Sequence, residues 1–136
     1  MLSLRDTTAA VRHLLSVTAD RVRDEAKGVV QRQNLTISQA LALAALDEPI
    51  TMRALADRMK CDPSSATYVV DRLEEADLVT RTPHPTDRRA KVLVLTDAGE
   101  QARTALLTDF RESSVLSRLD ETELAQLEAL LGKLLP

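Results

Sequence analysis

The groups best suited to reading another molecule lie between residues 64 and 72. Ser64, Ser65, Thr67, Tyr68, Asp71 and Arg72 place hydroxyls, a phenol, a carboxylate and a guanidinium on one short stretch. At about 100° per helical residue, Ser64, Tyr68 and Asp71 fall on one side and Thr67 and Arg72 flank them. A helix face of short hydrogen-bonding groups around one aromatic hydroxyl can enter a DNA major groove and read base edges. Ser64, Ser65, Thr67 and Tyr68 are therefore predicted to contact bases or phosphates, and Arg72 to contact a phosphate or an internal carboxylate. Asp71 would repel DNA unless paired, which predicts an intramolecular cation for it. The plainer account is an ordinary solvated helix whose serines simply favour a first turn.

A second set of groups follows. Leu78 to Thr82 and Lys91 to Thr96 are β-like runs, and the PHPTDRRA stretch between them favours a turn. Arg81, Arg88, Arg89 and Lys91 oppose only Asp87 there, a local excess of positive charge in a chain whose net charge is −3. That acidic total argues against indiscriminate nucleic-acid binding and leaves room for a specific binder with a local basic patch. Guanidinium groups on such a hairpin can reach the phosphate backbone or an adjacent minor groove. A solvated surface hairpin is the competing account.

These groups need elements to hold them. Asp62 is a good N-cap and Pro63 fits the first helical position. Ala66, Val69, Val70 and Leu73 then form the apolar stripe of the helix that carries the polar face. Before it, Thr51 caps a shorter helix with Met52, Leu55, Ala56 and Met59 on one side. The short turn Lys60 to Asp62 joins the two into a helix-turn-helix, which the basic hairpin extends to a winged helix. Upstream, residues 7–33 read as one long helix with Val11, Leu14, Leu15, Val22, Ala26, Val29 and Val30 roughly on one side, and Gly28 marks a bend. Thr36 and Gln39 have capping-box spacing for a second helix to about Leu46, and its ALALAAL segment, apolar all round, predicts a central position. Downstream, a helix runs from Thr96 or Asp97 to about Leu116, with Ser113-Ser114 as its weak point. Asp120 and Glu123 start a last helix in which Leu124, Leu127, Leu131 and Leu134 form a seam. The two amphipathic ends are predicted to pack together across a two-fold axis, the alternative being completion of a monomer core.

Bulk properties exclude other classes. The 136 residues suit one domain, and 44% are hydrophobic. Tyr68 and Phe110 are the only Tyr, Phe or Trp residues, so the core must be aliphatic, which favours helix on helix. Cys61 is alone, which excludes an internal disulfide and a cysteine zinc cluster. No apolar run approaches the roughly 20 residues of a membrane span, and the charged amphipathic start MLSLRDTTAAVRHLL is unlike a signal peptide, so a cytoplasmic location is expected. There is no nucleophile–base pair, glycine-rich phosphate loop or metal-ligand spacing; His13 and His84 lack motif context. Neither catalysis nor a cofactor is expected.

The run DPSSATYVVDRLEEADLVTRTPHPTDRRAKVLVLTDAGE resembles the winged-helix core of the MarR family of bacterial transcription regulators. Asp87, Arg89, Leu95, Thr96 and Gly99 carry the likeness, with the VDRLE stretch Val70 to Glu74, and element order extends it over nearly the whole chain. The resemblance implies a mainly α fold with a small β-hairpin wing: an N-terminal dimerisation helix (1–35), a winged helix-turn-helix DNA-binding lobe (36–96) and C-terminal dimerisation helices (97–136). It further implies an obligate homodimer on a palindromic operator in double-stranded DNA, with Arg89 in the minor groove, Asp87 holding the wing, and Arg88 and Lys91 in support. A carboxylate two residues from a long arginine could fix that side chain. A repressor released by a small-molecule effector is the expected switch, although no motif fixes the effector site. A winged helix used only for protein contact is the alternative. Two departures stand out: Asp77 where relatives often have glycine, and Lys60-Cys61 in place of glycine plus an apolar residue. For Cys61 a small apolar staple competes with a redox role.

Overall fold

The computed structural model describes residues 6–136, so the first five residues of the charged N-terminal stretch lie outside the described residues. In chain order the elements are α1 (Thr7–Arg32), α2 (Ile37–Ala45), β1 (Ile50–Thr51), α3 (Met52–Met59), α4 (Pro63–Glu75), β2 (Val79–Pro83), β3 (Lys91–Leu95) and α5 (Asp97–Ser113), then a 3-10 turn (Val115–Arg118) and α6 (Glu121–Gly132). The helix starts follow the capping residues. Thr36 and Gln39 form a reciprocal capping box, as do Asp120 and Glu123, and Asp62 accepts the Ser65 amide at 2.8 Å. The long helix ends at Ser113, and the Ser114 hydroxyl caps the 3-10 turn.

β2 and β3 form the expected hairpin, from Val79 opposite Leu95 to Pro83 opposite Lys91. Pro83 is tolerated because β2 lies at the sheet edge. A third strand, not expected from the sequence, lies on the other side of β3: Ile50 and Thr51 pair with Leu93 and Val92. The sheet order is β1-β3-β2. Leu43, Leu55, Val70, Leu73, Leu93 and Leu106 are fully buried and draw α2, α3, α4, β3 and α5 into one aliphatic core. That core seats the helix-turn-helix and the wing on α5.

α2 differs from its expected all-round burial. Ala40, Ala42 and Leu43 are buried, but Ile37 and Leu41 are each 53% exposed. An apolar segment this short buries only the side that meets α4 and α5. α1 buries only Val29 and Val30, near its C-terminus, and leaves Val11, Leu14, Leu15, Val17 and Val22 exposed. Within the chain α1 packs on α5 and makes no extended contact with α6. No residue of α6 is buried.

Asn34, Lys60 and Asp77 have positive φ, near 56°, 54° and 60°. Each follows a helix whose last carbonyls are closed in the same way: Leu35, Cys61 and Leu78 donate their amides to Val30, Ala56 and Leu73. These are Schellman closures, which favour glycine at the left-handed position and an apolar residue next. Asp77 and Asn34 tolerate the conformation through short polar side chains, whereas Lys60 carries its full steric cost. Cys61, half-buried, occupies the apolar position of its closure, which accounts for it without redox chemistry. Lys60→Gly is expected to stabilise the fold by about 0.5 kcal/mol, since relief of the left-handed strain outweighs the added unfolded-state entropy. A thermal midpoint at or below that of the parent would contradict this.

Candidate nucleic-acid interface

α4 exposes the side chains singled out above. Its stripe of Ala66, Val69, Val70 and Leu73 is buried, so Ser64, Ser65, Thr67, Tyr68 and Arg72 face outward. Tyr68 is 63% exposed, with the Arg72 guanidinium 5.1 Å from its ring centroid. Arg72 also pairs with Glu75 at 3.0 Å, so of its two expected roles the internal ion pair is the one made.

The hydroxyls at the start of α4 are already donating. Ser64 Oγ donates to Asp62 Oδ1 at 2.6 Å and Ser65 Oγ to Oδ2 at 3.1 Å. Thr67 Oγ1 donates to the Pro63 carbonyl at 2.8 Å. Hydrogen bonds from Ser64 and then from the Ser65 amide and hydroxyl hold the Asp62 carboxyl down at about 2, so it is ionised at neutral pH. A fixed negative charge here disfavours a phosphate at the helix start. What the hydroxyls present outward is lone pairs, which suit the amino groups of adenine and cytosine in the major groove.

Asp71 has the predicted cation: Arg81 Nη2 lies 2.6 Å from its Oδ1, while Arg81 Nη1 lies 2.9 Å from Glu74 Oε1. Hydrogen bonding to Asp71 raises the Arg81 pKa above its usual value. Arg81 is thereby removed from the free basic patch. Arg88, Arg89 and Lys91 are exposed and form no ion pair among the described residues. The wing thus offers three free cations.

Asp87 corrects one expectation. Its Oδ1 accepts the backbone amide of Arg89 at 3.0 Å, so it fixes the turn and not the guanidinium. An aspartate reaches the amide two residues ahead easily, while a long side chain at that spacing extends past it. His84, without motif context in the sequence, also organises the wing tip: its Nδ1 accepts the amides of Thr86 and Asp87, both at 3.2 Å. Of the seam leucines, Leu127 is half-buried, and Leu124, Leu131 and Leu134 are exposed, Leu134 lying past the end of α6.

Comparison with known proteins places this geometry. A model described as the MarR family matches residues 35–91. The chain is similar to the HTH-type transcriptional repressor MdtR of Bacillus subtilis (strain 168), 31% identical over 124 residues, 88% of this chain and 80% of that one. Its fold is similar to the crystal structure of the YusO protein from Bacillus subtilis: TM-score 0.73, 29% identity, 97% of this chain and 96% of that one. A mutant MarR from E. coli complexed with operator DNA shares the fold at TM-score 0.68 and 23% identity, covering 98% and 99% of the two chains.

Proposed function

The chain belongs to the MarR family of DNA-binding transcriptional regulators, and from that premise we propose that it grips a palindromic operator as a homodimer. α4 enters the major groove with Ser64, Ser65, Thr67 and Tyr68 at the base edges. The wing places Arg89 in the flanking minor groove, with Arg88 and Lys91 on phosphates. The observation that carries this is the charge distribution: after internal pairing among the described residues, Arg88, Arg89 and Lys91 of the wing remain free, as do Lys60 in the turn before α4 and Arg53 on α3. Two such lobes about one DNA turn apart, roughly 34 Å, would follow from a two-fold axis.

The three segments then divide the work, with residues 36–96 meeting DNA and residues 1–35 and 97–136 forming the dimer. The exposed aliphatic side chains of α1 and α6, Leu14 at 62% and Leu130 at 60% among them, support a partner copy there. Repression released by a small-molecule effector fits this frame, since a ligand favouring another lobe spacing would lower operator affinity. A winged helix serving only protein contact is less well supported, because the similar proteins include a named repressor and a complex with operator DNA. Among the described residues no helix is long and apolar enough to cross a membrane.

Arg89→Ala is expected to weaken operator binding by about ten- to a hundredfold, with the thermal midpoint and dimer unchanged. Unaltered affinity in a gel-shift titration would refute the placement of the wing.

A further inference from the structure

α4 is an acidic helix put forward to meet a polyanion. Between Pro63 and Glu75 its charged residues are Asp71, Glu74 and Glu75 against Arg72 alone, and its cap Asp62 is also ionised. Arg72 is committed to Glu75. Asp71 and Glu74 would therefore face the phosphates unopposed, at a cost that like-charge contacts across an interface make large. Both are answered from another element, by the one guanidinium of Arg81 on β2, at 2.6 and 2.9 Å. The Arg81 side chain is 25% exposed, against 47% for Asp71 and 40% for Glu74. It lies beneath the carboxylates and so is poorly placed to contact DNA itself.

We propose that Arg81 is a positioning residue for DNA binding, which offsets half the charge of Asp71 and Glu74 and ties the base of the wing to the C-terminal half of α4. This rests on the DNA-binding reading above and deepens it. One side chain performs both tasks because β2 runs directly from the α4 closure, with Leu78 amide on Leu73 carbonyl and Thr80 opposite Val94 in the wing ladder. Losing Arg81 exposes two like charges at the interface and loosens the angle between recognition helix and wing. The charge effect can be isolated, because removing the carboxylates removes the exposed negative charge without restoring the bridge.

The test compares wild type, Arg81→Met, the triple variant Arg81→Met/Asp71→Asn/Glu74→Gln, and Asp71→Asn alone, as full chains. Affinity for a duplex that the wild type binds is read by fluorescence anisotropy, with thermal midpoints alongside. Methionine keeps the apolar stem, so the fold is preserved. Arg81→Met is expected to bind about tenfold more weakly, the triple variant to recover most of that loss, and Asp71→Asn alone to tighten binding. Arg81→Met with wild-type affinity, or a triple variant as weak as Arg81→Met, overturns the proposal. A wild type that binds no duplex overturns the DNA-binding reading itself, and this role with it.

Discussion

Gly99→Ala is expected to destabilise the protein by about 3 kcal/mol or more, the largest loss from a methyl group added at any of the three glycines. A Cβ built on Gly99 would stand 1.9 Å from the Leu78 carbonyl oxygen and 2.9 Å from its carbon. The obstacle is backbone, and that backbone is held. Leu78 donates its amide to Leu73 and accepts the amide of Thr96 at 3.1 Å, while Asp77 stands in the left-handed conformation. Thr96 completes the clasp: its hydroxyl donates to the Asp77 carbonyl at 2.6 Å and accepts the Gly99 amide at 2.9 Å. The start of α5 is thus seated on the turn between α4 and β2, and Gly99 is the thickness that this seat allows. A thermal midpoint lowered by about 10 °C or more is expected, with Gly132→Ala, which meets nothing within 4 Å, as the control. Midpoints equal for the two variants would contradict the clasp.

Leu127→Asp is expected to convert the dimer to monomers and, through that, to reduce operator affinity by about a hundredfold or more. A carboxylate in the centre of an aliphatic seam forfeits a leucine contact and adds an unpaired charge, several kcal/mol together. The DNA effect follows from linkage: two half-sites bound by one dimer gain effective concentration that two monomers lack. Leu127 is half-buried and stands between the exposed Leu124 and Leu131, so the substitution falls on the seam and leaves the aliphatic core intact. An unchanged elution volume in size exclusion at micromolar concentration would refute the dimer assignment.

What could be read from the sequence, and what could not, has physical reasons. Cap residues announced their helices because each satisfies amides locally: Thr36 with Gln39, Asp62 before Pro63, Asp120 with Glu123. The hairpin was legible from its apolar runs and basic tip. β1 was not, since a strand of two residues, Ile50 and Thr51, has no period and exists only through its partner β3. The exposure of Ile37 and Leu41 was hidden for a similar reason, because an apolar run does not say which of its sides will find neighbours. At the interface, the need for a cation beside Asp71 could be inferred from charge, but its identity as Arg81 depends on how α4 and β2 cross. Asp87 and His84 act on backbone amides of the wing turn, a role set by geometry at close range and unmarked by residue type alone.

Binding of labelled duplex DNA from the chain's own promoter region, followed by anisotropy as salt is raised, tests the whole account most directly. Three free cations on each of two wings predict saturation at two chains per duplex, with log affinity falling against log salt at a slope of about −5. No binding to any such duplex at low ionic strength, or an affinity indifferent to salt, would contradict it.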